Sequence, residues 1–180
     1  MIERLNISKA ILVVVDLQEA FAGAISDFEK IVQRAVIAVH GCAALGIPIV
    51  ATEQVPAKLG KTVEPLRNAL GGVHPLEKTA FSACGAPGFM EGLGNRSQIL
   101  LCGIETHICV QQTALDLLAQ NRRVQILIDA VGSRSPHDRE AGLQKLWAAG
   151  AIPSSVEMAL FELMGDSRHE QFRAIQKLVK

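Results

Sequence analysis

β-rich apolar runs recur at residues 11–15, 47–51, 99–102 and 124–128, with helix-period segments between them. Unbroken runs of this kind fit strands covered on both faces, as in a parallel sheet. Between the first two runs, Ser26 and Glu29 have capping-box spacing. Phe28, Ile31, Val32, Ala35, Val36 and Val39 then form one helical stripe that stops at Gly46. After the third run Gly103 marks a turn, and a helix is predicted from about His107 through Val110, Ala114, Leu117 and Leu118 to Asn121. Ser135-Pro136 supplies an N-cap and a first-turn proline for a helix carrying Leu143, Leu146 and Trp147, halted by Gly150. Two shorter helices, about 155–164 and 167–179, follow. This alternation predicts an α/β fold: a three-layer α/β/α, Rossmann-like domain with a mostly parallel central sheet, a single domain across residues 1–180.

Regularity fades between Glu53 and Gly94, where Pro56, Pro65, Pro75 and Pro87 alternate with Gly60, Gly71, Gly72, Gly85, Gly88 and Gly92. A long irregular excursion inside a compact domain is usually functional or disordered. Gly60-Lys61-Thr62 is a decoy for a phosphate-binding loop, because the glycine required five residues earlier is Val55. No trio of glycines follows Asp16 or Gly103, so a dinucleotide-binding site is not expected.

Composition narrows the function classes. The 18 Lys+Arg balance 18 Asp+Glu, which leaves no basic excess for phosphate backbones or anionic lipid; neither nucleic acid nor membrane is an expected partner. The longest apolar run, 10–15, is far short of a membrane span. The mixed-charge start Met1-Ile2-Glu3-Arg4 is unlike a signal peptide, and a cytoplasmic location is expected. Cys42, Cys84, Cys102 and Cys109 show no C-x-x-C pairing and are expected as free thiols, with Cys42 and Cys102 in the core.

In an open parallel sheet chemistry gathers beyond the carboxyl ends of the strands. The residues terminating the runs are Asp16, Glu53 with Gln54, the stretch 103–109, and Asp129. Five aliphatic residues leading into Asp16 place a carboxylate at the edge of a dry core, where it either pairs with a cation or caps a turn. Cys109 lies three residues after Thr106, a candidate N-cap, so helix-start N–H groups would favour its thiolate; the alternative is a small apolar helix residue. Lys78 is either a solvated loop lysine or the cation that such a carboxylate and thiolate lack.

Three segments, Val15-Asp16-Leu17-Gln18, Glu77-Lys78-Thr79-Ala80-Phe81-Ser82 and Gly103-Ile104-Glu105-Thr106-His107-Ile108-Cys109-Val110, together resemble the signature segments of the isochorismatase-like cysteine hydrolase superfamily. The similarity continues through Asp129-Ala130, Ser133-Arg134-Ser135 and a tail from Gly165 to Lys177, and is closest to the isochorismatase domain-containing subgroup. The resemblance implies a catalytic triad of Asp16, Lys78 and Cys109, with the cysteine attacking a carbonyl, the aspartate handling its proton and the lysine stabilising the charged pair. It also implies a cis peptide at Ile104–Glu105 and an oxyanion site built from the backbone N–H groups of Glu105 and Cys109. Nicotinamidases of the superfamily carry an Asp and paired histidines as metal ligands after the second strand; this chain has Glu53-Gln54-Val55-Pro56 there. No metal and no cofactor are therefore expected, and His74 and His107 are expected as loop residues rather than ligands.

These observations point to a metal-independent cysteine hydrolase of a small amide or related acyl compound, working through an acyl-thioester. The alternatives are a catalytically weak binding or regulatory module, a thiol redox sensor pairing Cys109 with Cys84, and a vinyl ether hydrolase of the isochorismatase type. Phe21 and Phe81 are candidates to wall the substrate pocket, and Gln54 and His107 to orient polar substrate groups. The partner expected is a small-molecule substrate, with a homo-oligomer in which a neighbouring copy helps to close the pocket.

Overall fold

The computed structural model describes residues 3–180; Met1 and Ile2, within the N-terminal segment weighed above, lie outside the described residues. Six strands form one sheet: β1 (Ala10–Val15), β2 (Ile49–Gln54), β3 (Leu76–Lys78), β4 (Gln98–Ile104), β5 (Arg123–Gly132) and β6 (Ile152–Ser154). Their order is β3-β2-β1-β4-β5-β6, and every pairing is parallel. All six residues of β1 and all seven of β4 are buried, in keeping with the apolar runs that make up β1 and the middle of β4.

Alternation along β1 divides the core into two layers. Leu12 and Val14 join Leu100 and Cys102 against α1 (Phe28–Ala44), α3 (Glu64–Leu70), α7 (Val156–Met164) and α8 (Phe172–Val179). Ile11, Val13 and Val15 join Ile99 and Leu101 against α4 (Phe89–Leu93), α5 (Gln111–Ala119) and α6 (Pro136–Ala148). Each large aliphatic side chain so buried contributes about 1.5–3 kcal/mol. Among the described residues no helix is long and apolar enough to cross a membrane.

The chain leaves β1 toward α1 on one face and leaves β4 toward α5 on the other. The crevice between these two strands is therefore the topological switch point, where ligands collect in open α/β sheets. Gly103 makes the close approach there possible. Its φ is +122°, and a Cβ on it would sit 2.0 Å from the Val15 carbonyl oxygen.

Several local expectations are corrected. α1 begins one residue after Asp27, which stands at the N-cap without a side-chain bond, so the Ser26–Glu29 capping box does not form; Asp27 instead pairs with Lys30. The Ser135 N-cap does form, accepting from the Asp138 N–H with Pro136 in the first turn. The excursion after Glu53 is not wholly irregular: it contains α2 (Pro56–Leu59), α3, the edge strand β3 and α4. The last predicted helix, 167–179, is helical only as α8.

Candidate active site

Asp16 follows β1 with φ +52°. That left-handed conformation, which Asp tolerates better than most residues, takes the side chain out of the strand's alternation. One carboxylate oxygen, Oδ2, accepts from Lys78 Nζ at 2.6 Å, and the other, Oδ1, accepts from the Thr52 hydroxyl at 2.7 Å. Both members of the ion pair are buried. Lys78 is thus the last residue of an edge strand with its ammonium drawn inward, not a solvated loop lysine. Burial of a charge on this scale is tolerated only with full hydrogen-bond compensation. Lys78 Nζ has it: besides Asp16 it meets Gln54 Oε1 at 2.6 Å and the carbonyls of Phe81 and Ala80 at 3.0 and 3.2 Å.

Strand periodicity explains the convergence. Lys78 is in register with Gln54 across β2 and β3, so their side chains share a face, and Val50, Thr52 and Gln54 alternate onto that face. Val50 belongs to the same core layer as Cys109. Glu53 points the other way and accepts from the N–H and hydroxyl of Thr62 at 2.6 and 2.7 Å.

Cys109 sits in a π-helical turn, Thr106–Val110, that runs directly into α5. Single π turns of this kind are common at functional sites. The Ile108 and Val110 N–H groups both donate to the Glu105 carbonyl. Glu105, not Thr106, is the N-cap; the Thr106 hydroxyl is buried with no hydrogen-bond partner among the described residues. The Ile104–Glu105 peptide is cis. Cys109 is 7% exposed, and its thiol is pushed up to about 12, first by burial and then by the negative charge of Asp16, against the opposing pull of Lys78. Burial and Asp16 thus favour the thiol, against the thiolate that helix-start position favours. Cys42, also pushed up to about 12, and Cys102, raised further, are core thiols as expected, both shifted chiefly by burial. Cys84 is half-buried and raised for the same reason, its N–H donating to Ser82 Oγ.

The four candidate pocket residues are placed differently. The Gln54 amide is committed at both ends, its oxygen to Lys78 and its nitrogen to the Thr79 carbonyl at 2.8 Å, so it holds the lysine and the following loop. Phe21, in a short 3-10 turn over Glu19–Phe21, packs against the core layer of α1. The Phe81 ring is 54% exposed, while its carbonyl serves Lys78. His107 turns toward α6, with Nδ1 3.0 Å from Ser133 Oγ; a Cβ on Gly142 would lie 2.9 Å from the His107 Cα, so that helix packs closely on the Cys109 turn.

Two supporting residues carried no separate signal. Thr52 directly follows an apolar run, and its register beside Val15 is what brings it to Asp16. Gln18 is fully buried, with its amide oxygen accepting from the Gln54 N–H and its nitrogen donating to the carbonyls of Gln54 and Gly60. Beside Lys78 opens a cleft of about 360 Å³ lined by Val55, Pro56, Ala57, Glu77, Thr79 and Pro87, among others. Among the described residues no group of three or more His, Cys, Asp or Glu side chains gathers as a metal cage.

Comparison with known proteins identifies the family and the fold. The isochorismatase domain family matches residues 10–158. Isochorismatase domain-containing protein 2A of Mus musculus is 40% identical over 174 residues, 95% of this chain and 82% of that protein. Among solved structures, one described as MAR1 ribonuclease from Caenorhabditis elegans superposes with a TM-score of 0.95 at 38% identity, over 98% of this chain and 92% of that one. The YcaC gene product of Escherichia coli, described as an octameric hydrolase of unknown specificity, shares the fold with a TM-score of 0.90 at 19% identity, over 97% and 88% of the two chains. With its six-stranded parallel sheet and a domain match over most of its length, the chain belongs to the isochorismatase family.

Proposed function

We propose that this protein is a metal-independent cysteine hydrolase that cleaves the C–N bond of a small amide or related acyl compound. The observation that carries this is the buried Asp16–Lys78 pair just beyond the end of β1, beside β4 and the turn after it that carries Cys109. In attack, Cys109 Sγ adds to the substrate carbonyl carbon while Asp16 takes the thiol proton. Asp16 then returns that proton to the leaving nitrogen as the C–N bond breaks, giving a thioester. Water adds to the thioester carbonyl with its proton passing to Asp16, and the acid leaves as the thiol reforms. Lys78 holds the Asp16 carboxyl group in place by its hydrogen bond, and the backbone N–H groups of Glu105 and Cys109 are the proposed donors to the developing oxyanion.

Burial and the charge of Asp16 push the Cys109 thiol up, which disfavours the free thiolate that a peroxide sensor needs and calls for a base such as Asp16 in attack. A nuclease activity, suggested by the description of the C. elegans neighbour, lacks support in charge, since 18 basic residues are offset by 18 acidic ones. The proposal extends to assembly as a homo-oligomer, on the precedent of the octameric E. coli neighbour; light scattering that finds only monomer would exclude it. The test of function is ammonia release from a panel of small amides and ureides, with RNA and vinyl ethers alongside. Turnover that survives EDTA and vanishes in Cys109→Ala is expected; cleavage of RNA or vinyl ether retained in Cys109→Ala would replace this proposal.

A further inference from the structure

A second nucleophile, base and acid are brought together by the fold outside the cluster of Asp16, Lys78 and Cys109. Ser133, just past β5, has its hydroxyl 3.0 Å from His107 Nδ1 and makes no other side-chain hydrogen bond among the described residues. On the far side of the ring, His107 Nε2 lies 4.0 Å from Asp138 Oδ2, and no other cation comes as close to that carboxylate among the described residues. The three residues come from three elements: the π turn after β4, the chain just beyond β5, and the first turn of α6.

Packing fixes this arrangement. Gly142 lets α6 close on the His107 backbone, and the Asp138 N–H is held by Ser135 Oγ at the helix cap. Ser133 is buried in the wall of a cavity of about 550 Å³ at the carboxyl end of β5, a volume within the usual range for small-molecule sites. Ile25, Ile31, Ile128 and Val131 give this cavity an apolar side, and α6 presents its first turn to it through Pro136. The positive end of a helix suits the negative charge that develops on a carbonyl oxygen under attack. Neither Asp16, Lys78 nor Cys109 lines this cavity, and it shares no lining residue with the cleft beside Lys78.

We propose that Ser133 is the nucleophile of a second catalytic site, an esterase site for short-chain aliphatic esters, with His107 as its base and Asp138 as the positioning residue of that base. With the ring proton on Nε2 and facing Asp138, Nδ1 accepts from the Ser133 hydroxyl. In attack Ser133 Oγ adds to the ester carbonyl carbon as its proton passes to His107 Nδ1. That proton goes on to the leaving alkoxide oxygen as the C–O bond breaks, giving an alcohol and an acyl-serine. Water then adds to the acyl carbonyl, its proton passing to Nδ1, and the acid leaves as Ser133 regains the proton. The ion-pair distance of 4.0 Å is of the kind that tightens when the imidazole takes up its proton. The apolar side of the cavity receives the acyl chain. This inference does not rest on the hydrolase proposal, since it uses none of the groups that proposal employs.

Cys109→Ala removes the first nucleophile and lets this one be measured alone. Treated with diisopropyl fluorophosphate, that protein should carry an adduct on Ser133, located by peptide mass spectrometry, and it should release p-nitrophenol from p-nitrophenyl butyrate. Ser133→Ala in the same background should abolish both, and His107→Gln should slow release by about 10²-fold or more, with melting curves confirming that each variant is folded. Asp138→Asn should lower kcat and leave KM unchanged, because it acts on the base and not on the substrate. Absence of an adduct on Ser133 in Cys109→Ala, which needs no change at the second site, would overturn the assignment, as would nitrophenol release undiminished by Ser133→Ala. Ester cleavage that is lost in Cys109→Ala would also overturn it, and would leave the hydrolase proposal standing. Adduct and release that behave as expected in a protein whose Cys109 form frees no ammonia would support this site while refuting the other.

Discussion

Asp16 has opposite effects on Cys109 at rest and during attack. At rest its negative charge opposes loss of the thiol proton, raising the group further than burial alone. During attack the same carboxylate is the base that accepts that proton. Asp16→Asn, which keeps the residue's shape and its tolerance of positive φ, should therefore separate two quantities that ordinarily move together. The thiol pKa should fall from about 12, because an anion beside it has been removed. Turnover should fall by about 10²–10⁴, because the base has gone. Peptide-resolved iodoacetamide labelling of Cys109 against pH, run beside ammonia release, reads both. An alkylation profile that does not move toward lower pH would mean that the carboxylate does not act on the thiol. The acidity of Cys109 was the property least legible in the chain: helix-start position argued for a thiolate, while burial and the facing Asp16 depend on tertiary packing.

At the scale of elements, legibility followed burial. β1 and β4 could be seen in the sequence because they lie in the middle of the sheet and are apolar on both faces. β3 and β6 could not, since three residues on an edge carry too little periodicity, and β3 reads Leu-Glu-Lys. The site inherits the same division. Asp16 stood out at the end of an aliphatic run, whereas the inward turn of Lys78 depends on its register with Gln54, which no local pattern encodes. Thr52 and Gln18 were hidden for the same reason. The switch point itself makes a prediction about glycine. Gly103→Ala would set a Cβ against the Val15 carbonyl at a φ of +122° and should cost more than about 3 kcal/mol or prevent folding. Gly72→Ala meets no atom within 4 Å and should be neutral or stabilise by up to about 1 kcal/mol. Urea denaturation of the pair checks this; equal effects at the two positions would contradict the close approach of β4 to β1.

For the molecule as a whole, thiols on both sides of the sheet couple stability to alkaline pH. Cys42 and Cys102 lie in the layer beneath α1, and Cys109 lies in the opposite layer. All three are raised above an ordinary value of 9.0, principally by burial. Below about pH 9 they are protonated in both the folded and unfolded chains and stability does not depend on them. Above it the unfolded chain releases these protons while the folded chain keeps them, until the pH approaches 12. The unfolded state then binds fewer protons, so stability falls as pH rises, by up to about 1.4 kcal/mol per pH unit for each retained thiol. The chain contains no tyrosine, which removes the side chain that most often overlaps this range. Urea denaturation of wild type and of Cys42→Ala/Cys102→Ala between pH 8 and 10.5 should give a steeper decline in the wild type, by two thiols' worth of slope. Lysine titration is common to both proteins and cancels in the difference. Parallel declines would mean that the two core thiols ionise in the folded protein as readily as in the unfolded chain, which their burial forbids.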